Sequence, residues 1–222
     1  MPMLPQLFDE LIGGRINQTT WLSDDALSSI GNVFPAPLVE LYAQAGLCSI
    51  KGGRLQLCDP ETLRGVLALV FGADKQFSHN NCHSFAFSSF GKIYCWSEVL
   101  AMVSVDMISG EVTSRGALGK IKAGAKIENQ IYVPFSLSDD ALDLDDEEGK
   151  PLFSRAAKKL GVLDIGECYG FFPAVALGGV RRIESLKRVS APEHFAIIAQ
   201  TLDFQLIDVQ GYGRTKLVRA IG

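Results

Sequence analysis

The residues best equipped for chemistry lie in His79-Asn80-Asn81-Cys82-His83, with Cys95 further along. Imidazole and thiolate are donors that zinc favours, but tetrahedral sites usually pair them as C-x2-C or H-x3-H with a second pair nearby, and that spacing is missing. Asn80 also stands where a zincin motif needs a glutamate after its first histidine. The segment reads as turn residues feeding a strand, and no metal is assigned. A nucleophilic pair can be drawn from Cys82 and His194, because such partners need only meet in space. Nothing local marks an activated thiol, and no G-x-S-x-G elbow occurs. No catalytic residue and no cofactor is therefore assigned.

Phosphate-cradling loops fare similarly. Gly211-Tyr212-Gly213 opens a G-x-G but lacks the third glycine, and too few residues follow for the helix and strand of a dinucleotide fold. Gly178-Gly179-Val180-Arg181-Arg182 lacks a lysine-serine continuation. Both read as turns. Arg115, Lys120, Lys122 and Lys126 form one basic group, and Arg181, Arg182, Lys187 and Arg188 another. With a net charge of -4, the chain lacks the clustered, unopposed positive charge that phosphate binding scales with, so no direct nucleic-acid contact is expected.

The strongest charge feature is acidic: Asp139, Asp140, Asp143, Asp145, Asp146, Glu147 and Glu148, seven acids within residues 139–148 and no base. Starting from Asp140 or Asp143, an EF-hand loop would need glycine sixth and glutamate twelfth, and neither is there. Two readings stand, a solvated linker or a contact for a basic partner. These seven residues are the candidate partner-binding set.

The elements around these residues have local signatures. Ser23 caps a helix through Leu22 to Ile30, with Asp24 and Asp25 in its first turn. Pro37 to Ala45 is a helix, with Leu38, Leu41 and Tyr42 on one face and Gly46 at its end. Arg54 to Leu57 is a short strand, and Asp59-Pro60-Glu61 predicts a helix start running to Phe71-Gly72. Strands follow at Ser84 to Ser88, Lys92 to Ser97, Ala101 to Met107 and Glu111 to Ser114, with turns at Phe90-Gly91 and Ser109-Gly110. Later, Phe153 to Leu160 is an amphipathic helix closed by Gly161. Asp164-Ile165-Gly166-Glu167 and Ser190-Ala191-Pro192-Glu193 read as capping arrangements. Phe204 to Val209 is a last strand.

This pattern predicts an α+β fold: a helix-led antiparallel sheet packed against a smaller α+β C-terminal domain. Boundaries are placed at 1–120, a connecting segment 121–150 with the acidic run, and 151–222. Because that segment contains Ile121, Ile127, Ile131, Tyr132, Val133 and Phe135, the halves are expected to pack together. Among 222 residues, 47% are apolar and 21% charged, which is ordinary globular usage and not that of a disordered chain. No apolar stretch approaches the roughly 20 residues of a membrane span, so no membrane contact is expected. The opening MPMLPQLFDELIGG lacks the basic and extended apolar regions of a signal peptide. Five dispersed cysteines suit free thiols in a reducing cytoplasm.

Phe34 to Gly46, Leu55 to Glu61, Phe85-Ala86-Phe87 and Phe90 to Trp96 together resemble a GAD-like domain. Leu160 to Gly179, with its glycine-glutamate, aromatic pair, proline and double glycine, followed by Glu193-His194-Phe195, is similar to the C-terminal domain of type VI secretion DNase immunity proteins. The resemblance implies a non-catalytic cytoplasmic protein that binds a cognate nuclease toxin, one to one, and inhibits it. Two other classes compete: an SMI1-like regulatory or scaffold protein, and a Cys- or metal-dependent enzyme.

Overall fold

Short apolar runs broken by glycine turns assemble into a sheet. A computed structural model describes Phe8, Glu10, Leu11, residues 16–210 and residues 214–222. Most of the opening segment and the Gly211-Tyr212-Gly213 turn lie outside the described residues. Among the described residues the strands are β1 (Ile16–Thr20), β2 (Leu47–Ile50), β3 (Leu55–Leu57), β4 (His83–Ser88), β5 (Lys92–Ser97), β6 (Ala101–Asp106), β7 (Glu111–Ser114), β8 (Glu167–Phe171), β9 (Leu186–Ser190), β10 (Gln205–Val209) and β11 (Thr215–Ala220). Nine of them form one sheet in the order β1-β2-β3-β4-β5-β6-β7-β10-β11, and β8 pairs with β9 separately. All neighbours are antiparallel except β7 and β10, which run parallel through Gln205↔Glu111 and Leu206↔Val112.

The α+β architecture follows from what covers this sheet. Within residues 16–210 and 214–222 the α-helices are α1 (Asp24–Gly31), α2 (Ala36–Ala45), α3 (Arg64–Phe71), α4 (Val133–Ser136), α5 (Phe153–Leu160) and α6 (Ala191–Ala199). Helices α1 and α2 bury Ile30, Leu38, Leu41 and Tyr42 in a core with Ile50, Leu55, Leu57, Tyr94 and Trp96. Helices α3 and α6 bury Val66, Leu67, Phe195 and Ile198 with Ile93, Val103, Val105, Val112 and Leu206 in another. A register shift between Ser84 and Ala86 sends Phe85 and Phe87 into different cores. Tyr42 locks α2 down, its hydroxyl donating to the carbonyls of Cys58 (2.7 Å) and Phe85 (3.0 Å).

Three local expectations differ from what forms. Asp59 does accept the Glu61 N–H at 2.9 Å, but the next bonds are i to i+3 turns, and the helix begins only at Arg64. Residues 164–167 form a turn into β8, where the Glu167 carboxylate accepts the Asp164 N–H at 2.9 Å, and no helix follows. Helix α6 starts where expected, yet the Ser190 hydroxyl makes no capping bond, because Ser190 is the last residue of β9, paired with Glu167.

A third core joins α5, β8 and β9 to the sheet through Phe90, Phe153, Tyr169, Phe171 and Leu186. The polar link is Gln56 on β3, which is fully buried. Its Nε2 donates to the carbonyls of Glu167 (3.0 Å) and Asp164 (3.3 Å), and its Oε1 accepts the Gly166 N–H at 2.9 Å. The Tyr169 N–H adds a bond to the Ser89 carbonyl at 2.8 Å. At the far end, the Gly110 carbonyl accepts the Gln205 N–H, and a Cβ on Gly110 (φ 72°) would lie 2.7 Å from the Asp203 carbonyl oxygen. Glycine there lets the chain return beside β7.

Gln56→Met keeps the side-chain volume and removes three hydrogen bonds to part-buried backbone groups. It should lower stability by about 2 kcal/mol in urea titration, since each such bond contributes roughly 0.5–1.5 kcal/mol net. A change below about 0.5 kcal/mol would remove Gln56 from this role.

Candidate functional site

The acidic run is an ordered loop folded onto α5. Asp143 Oδ1 accepts the N–H groups of Leu152 (3.2 Å) and Phe153 (2.8 Å), so it satisfies the start of α5, whose own preceding residue, Leu152, has no capping side chain. Asp146 is buried at 7% exposure. Its Oδ1 accepts the N–H groups of Glu148 and Lys150, each at 2.9 Å, and Arg155 donates to its Oδ2. The Arg155 bond, helped by the Lys150 and Glu148 amides, holds the Asp146 carboxyl down at about 2. Asp145 forms a backbone bridge with Pro151.

The remaining acids are less committed. Glu147 pairs with Arg182 at 2.9 Å, Glu148 with Lys150 at 2.7 Å, and Asp139 with Arg54 at 3.5 Å. Asp140 and Asp145 are exposed, and no hydrogen bond or ion pair holds either side chain. The structure thus brings the seven acids onto one loop but gives them two kinds of work. Asp143 and Asp146 build the loop, while Asp139, Asp140, Asp145, Glu147 and Glu148 face solvent. Arg54, Arg155 and Arg182 arrive from outside the run, which is why the local sequence reads as unopposed charge.

The Cys/His segment has no comparable geometry. Cys82 is buried, its thiol 3.3 Å from the Asn81 side-chain oxygen, and burial pushes it up to about 11. Burial likewise pushes Cys58 to about 12 and raises Cys95 well above the ordinary thiol value, so these thiols are poor nucleophiles. His83 is lowered by burial and then by the Arg64 charge. Burial alone lowers His194, which lies beneath Phe172 with ring centroids 5.4 Å apart. Among the described residues no group of three or more His, Cys, Asp or Glu is arranged to hold a metal. Nor is any helix among them long and apolar enough to cross a membrane.

The glycine-rich stretch after β8 shows why its residue types matter. A Cβ on Gly170 would sit 2.7 Å from the His194 ring. Gly178 adopts φ 81° to end a short 3-10 turn, and a Cβ on Gly179 would fall 1.9 Å from the Pro173 carbonyl oxygen. Glu167 is held by Arg188, which also reaches Asp164 at 2.8 Å. What this framework displays is apolar: Phe172, Leu177 and Val180 are 41%, 53% and 40% exposed. The Lys187 ammonium lies 4.9 Å over the Phe172 ring. Periodicity carries no signal for these exposed side chains, because a loop presents them singly.

Comparisons with known proteins agree along the chain. Residues 7–109 match the GAD-like domain family, and residues 132–201 match the family described as T6SS immunity protein Tdi1, C-terminal. The crystal structure of Atu4351 from Agrobacterium tumefaciens is similar at a TM-score of 0.86 and 30% identity, over 94% of this chain and 94% of that one. No curated protein matches.

Two substitutions probe this region. Asp146 is held below the ordinary carboxylate value, so its contribution is present above that value and lost as pH falls toward about 2. Asp146→Asn should therefore lower the melting temperature most at neutral pH, and the gap to the parent should close as pH drops below about 4. A gap independent of pH would remove the Arg155 pair as its cause. Gly179→Ala should destabilise by at least about 2 kcal/mol because backbone must move, against about 1 kcal/mol for Gly178→Ala. Equal costs in chemical denaturation would contradict the close approach to Pro173.

Proposed function

The chain belongs to the family that joins a GAD-like domain to the C-terminal domain of type VI secretion immunity proteins, and from that premise we propose that it binds a cognate DNA-cleaving effector in the cytoplasm and holds it inactive. It does so as a one-to-one stoichiometric inhibitor and not as an enzyme. The observation that carries this reading is the match of residues 132–201 to the immunity family, within a full-length likeness at 30% identity. In this reading residues 1–120 are the GAD-like scaffold, 121–150 the connecting segment, and 151–222 the immunity-type part.

Charge supplies a physical role for the acidic loop. A nuclease that grips phosphates presents lysine and arginine around its cleft, and opposite charge steers an inhibitor toward it. The exposed acids Asp139, Asp140, Asp145, Glu147 and Glu148 provide that field, and Asp143 and Asp146 fix the loop from which it projects. Screening limits the field to about 8 Å at physiological salt, so its effect belongs to the association rate. Tight binding rests on a few apolar anchors.

Co-expression with a candidate nuclease effector should restore cell survival, and the two proteins should co-purify one to one. Death of co-expressing cells would sink the immunity reading. The variant Asp140→Asn, Asp145→Asn, Glu148→Gln leaves Asp143 and Asp146 in place. At low salt it should associate about threefold to tenfold more slowly, with a flatter salt dependence and dissociation changed by less than about twofold. Association as fast as the parent's would remove the loop from steering.

A further inference from the structure

The stretch Arg115 to Lys126 carries four bases and no acid, and nothing above gives it a purpose. It borders a groove of about 860 Å³ between β7, β10 and the segment holding Gln130 and Val133. Met102, Leu118, Val133, Ile207 and Val209 give the groove an apolar lining. Leu217 on β11 stands opposite Ile207 in the strand pair and extends the same face. Val209 and Leu217 are more than half exposed, at 58% and 55%. The rim holds Arg115 and Lys120 against one acid, Asp208. Asp208 is already bonded by Lys120 at 2.6 and 2.7 Å and feels the Lys216 charge.

We propose that this groove receives an apolar segment of the effector whose flanks carry carboxylates; the proposal rests on the immunity reading and names a contact surface for it. Charge selects this occupant over the alternatives. A second copy of the chain would bring the same basic rim against itself. A nucleic acid would satisfy the cations but leave Val133, Val209 and Leu217 without a partner. A small polar ligand would find no waiting group, since the buried side-chain atoms lacking partners among the described residues belong to Ser49, Arg54, Ser89 and Tyr94, none of which lines the groove. An amphipathic segment with acidic flanks meets both the apolar floor and the positive rim. This surface is also separate from the acidic loop, so one partner can be steered by one and anchored by the other.

All five native cysteines are buried, so Val209→Cys supplies an accessible thiol for an environment-sensitive dye. The labelled full-length chain is titrated with a catalytically inactivated form of the nuclease effector against which it protects cells. A blue-shifted emission that saturates at one to one supports the groove. Leu217→Asp and Arg115→Glu, each melting within the parent's range, should weaken binding by about tenfold or more. Parent-like affinity in both variants with a silent label overturns the groove while leaving immunity intact. A parent that neither binds the effector nor protects cells defeats the immunity reading, and the groove assignment with it. A label response to a short DNA duplex, or to unlabelled chain alone, reassigns the surface to nucleic acid or to a second copy and overturns the proposal.

Discussion

The Gln56 amide is the constraint on which the attachment of residues 143–199 depends. The β8–β9 sheet has only two strands, a size that is marginal in water without further packing. It must be seated against the larger sheet, and seating an irregular turn there turns the Asp164 and Glu167 carbonyls and the Gly166 N–H toward β3, partly out of solvent. One side chain on β3 answers all three. From that seat the rest follows: Glu167 is placed for Arg188, Tyr169 reaches the Ser89 carbonyl, and Phe153 and Phe171 close the third core. The acidic loop, tied to α5 through Asp143 and Asp146, takes its position from the same attachment.

Much of this fold was legible where local chemistry decides local structure. The Pro37 to Gly46 helix, the hairpins around Gly91 and Gly110, and the helices at 153–160 and 191–199 all form close to where their caps and apolar spacing place them. Strands β1, β2, β8, β9 and β11 are not announced in this way. β1 reads INQTT, a polar edge strand without alternation, and β11 is exposed along most of its length. β1 and β8 find their partners β2 and β9 across long intervening stretches, and β11 has a place in the sheet only through the parallel pairing of β10 with β7. Parallel crossovers leave no short-range signature.

The candidate site divides along the same line. Composition identifies the acidic run but cannot tell Asp146, buried against Arg155, from Asp145 beside it in solvent. Burial, not residue type, separates an architectural carboxylate from one free to attract a partner. The groove lay further out of reach, because its walls come from residues 102–133 and 207–210 and exist only once β10 has joined β7. A protein with an acidic loop in one place and a basic, apolar groove in another presents opposite signs to a partner. That arrangement selects one docking orientation more sharply than net charge would.

The parallel insertion of β10 also sets a schedule for synthesis. Strands β1 through β7 are complete in sequence by residue 114, although the α1–α2 core also needs Ile131, Phe135 and Leu142. Until residue 205 follows, β7 is a bare edge, and Val112 lacks the Leu206 side chain that packs beside it. Exposed edges and unfilled cores recruit chaperones, proteases and neighbouring chains. Closure of the α3–α6 core thus waits on residues 205–209, and the mostly exposed β11 adds only an outer edge to it.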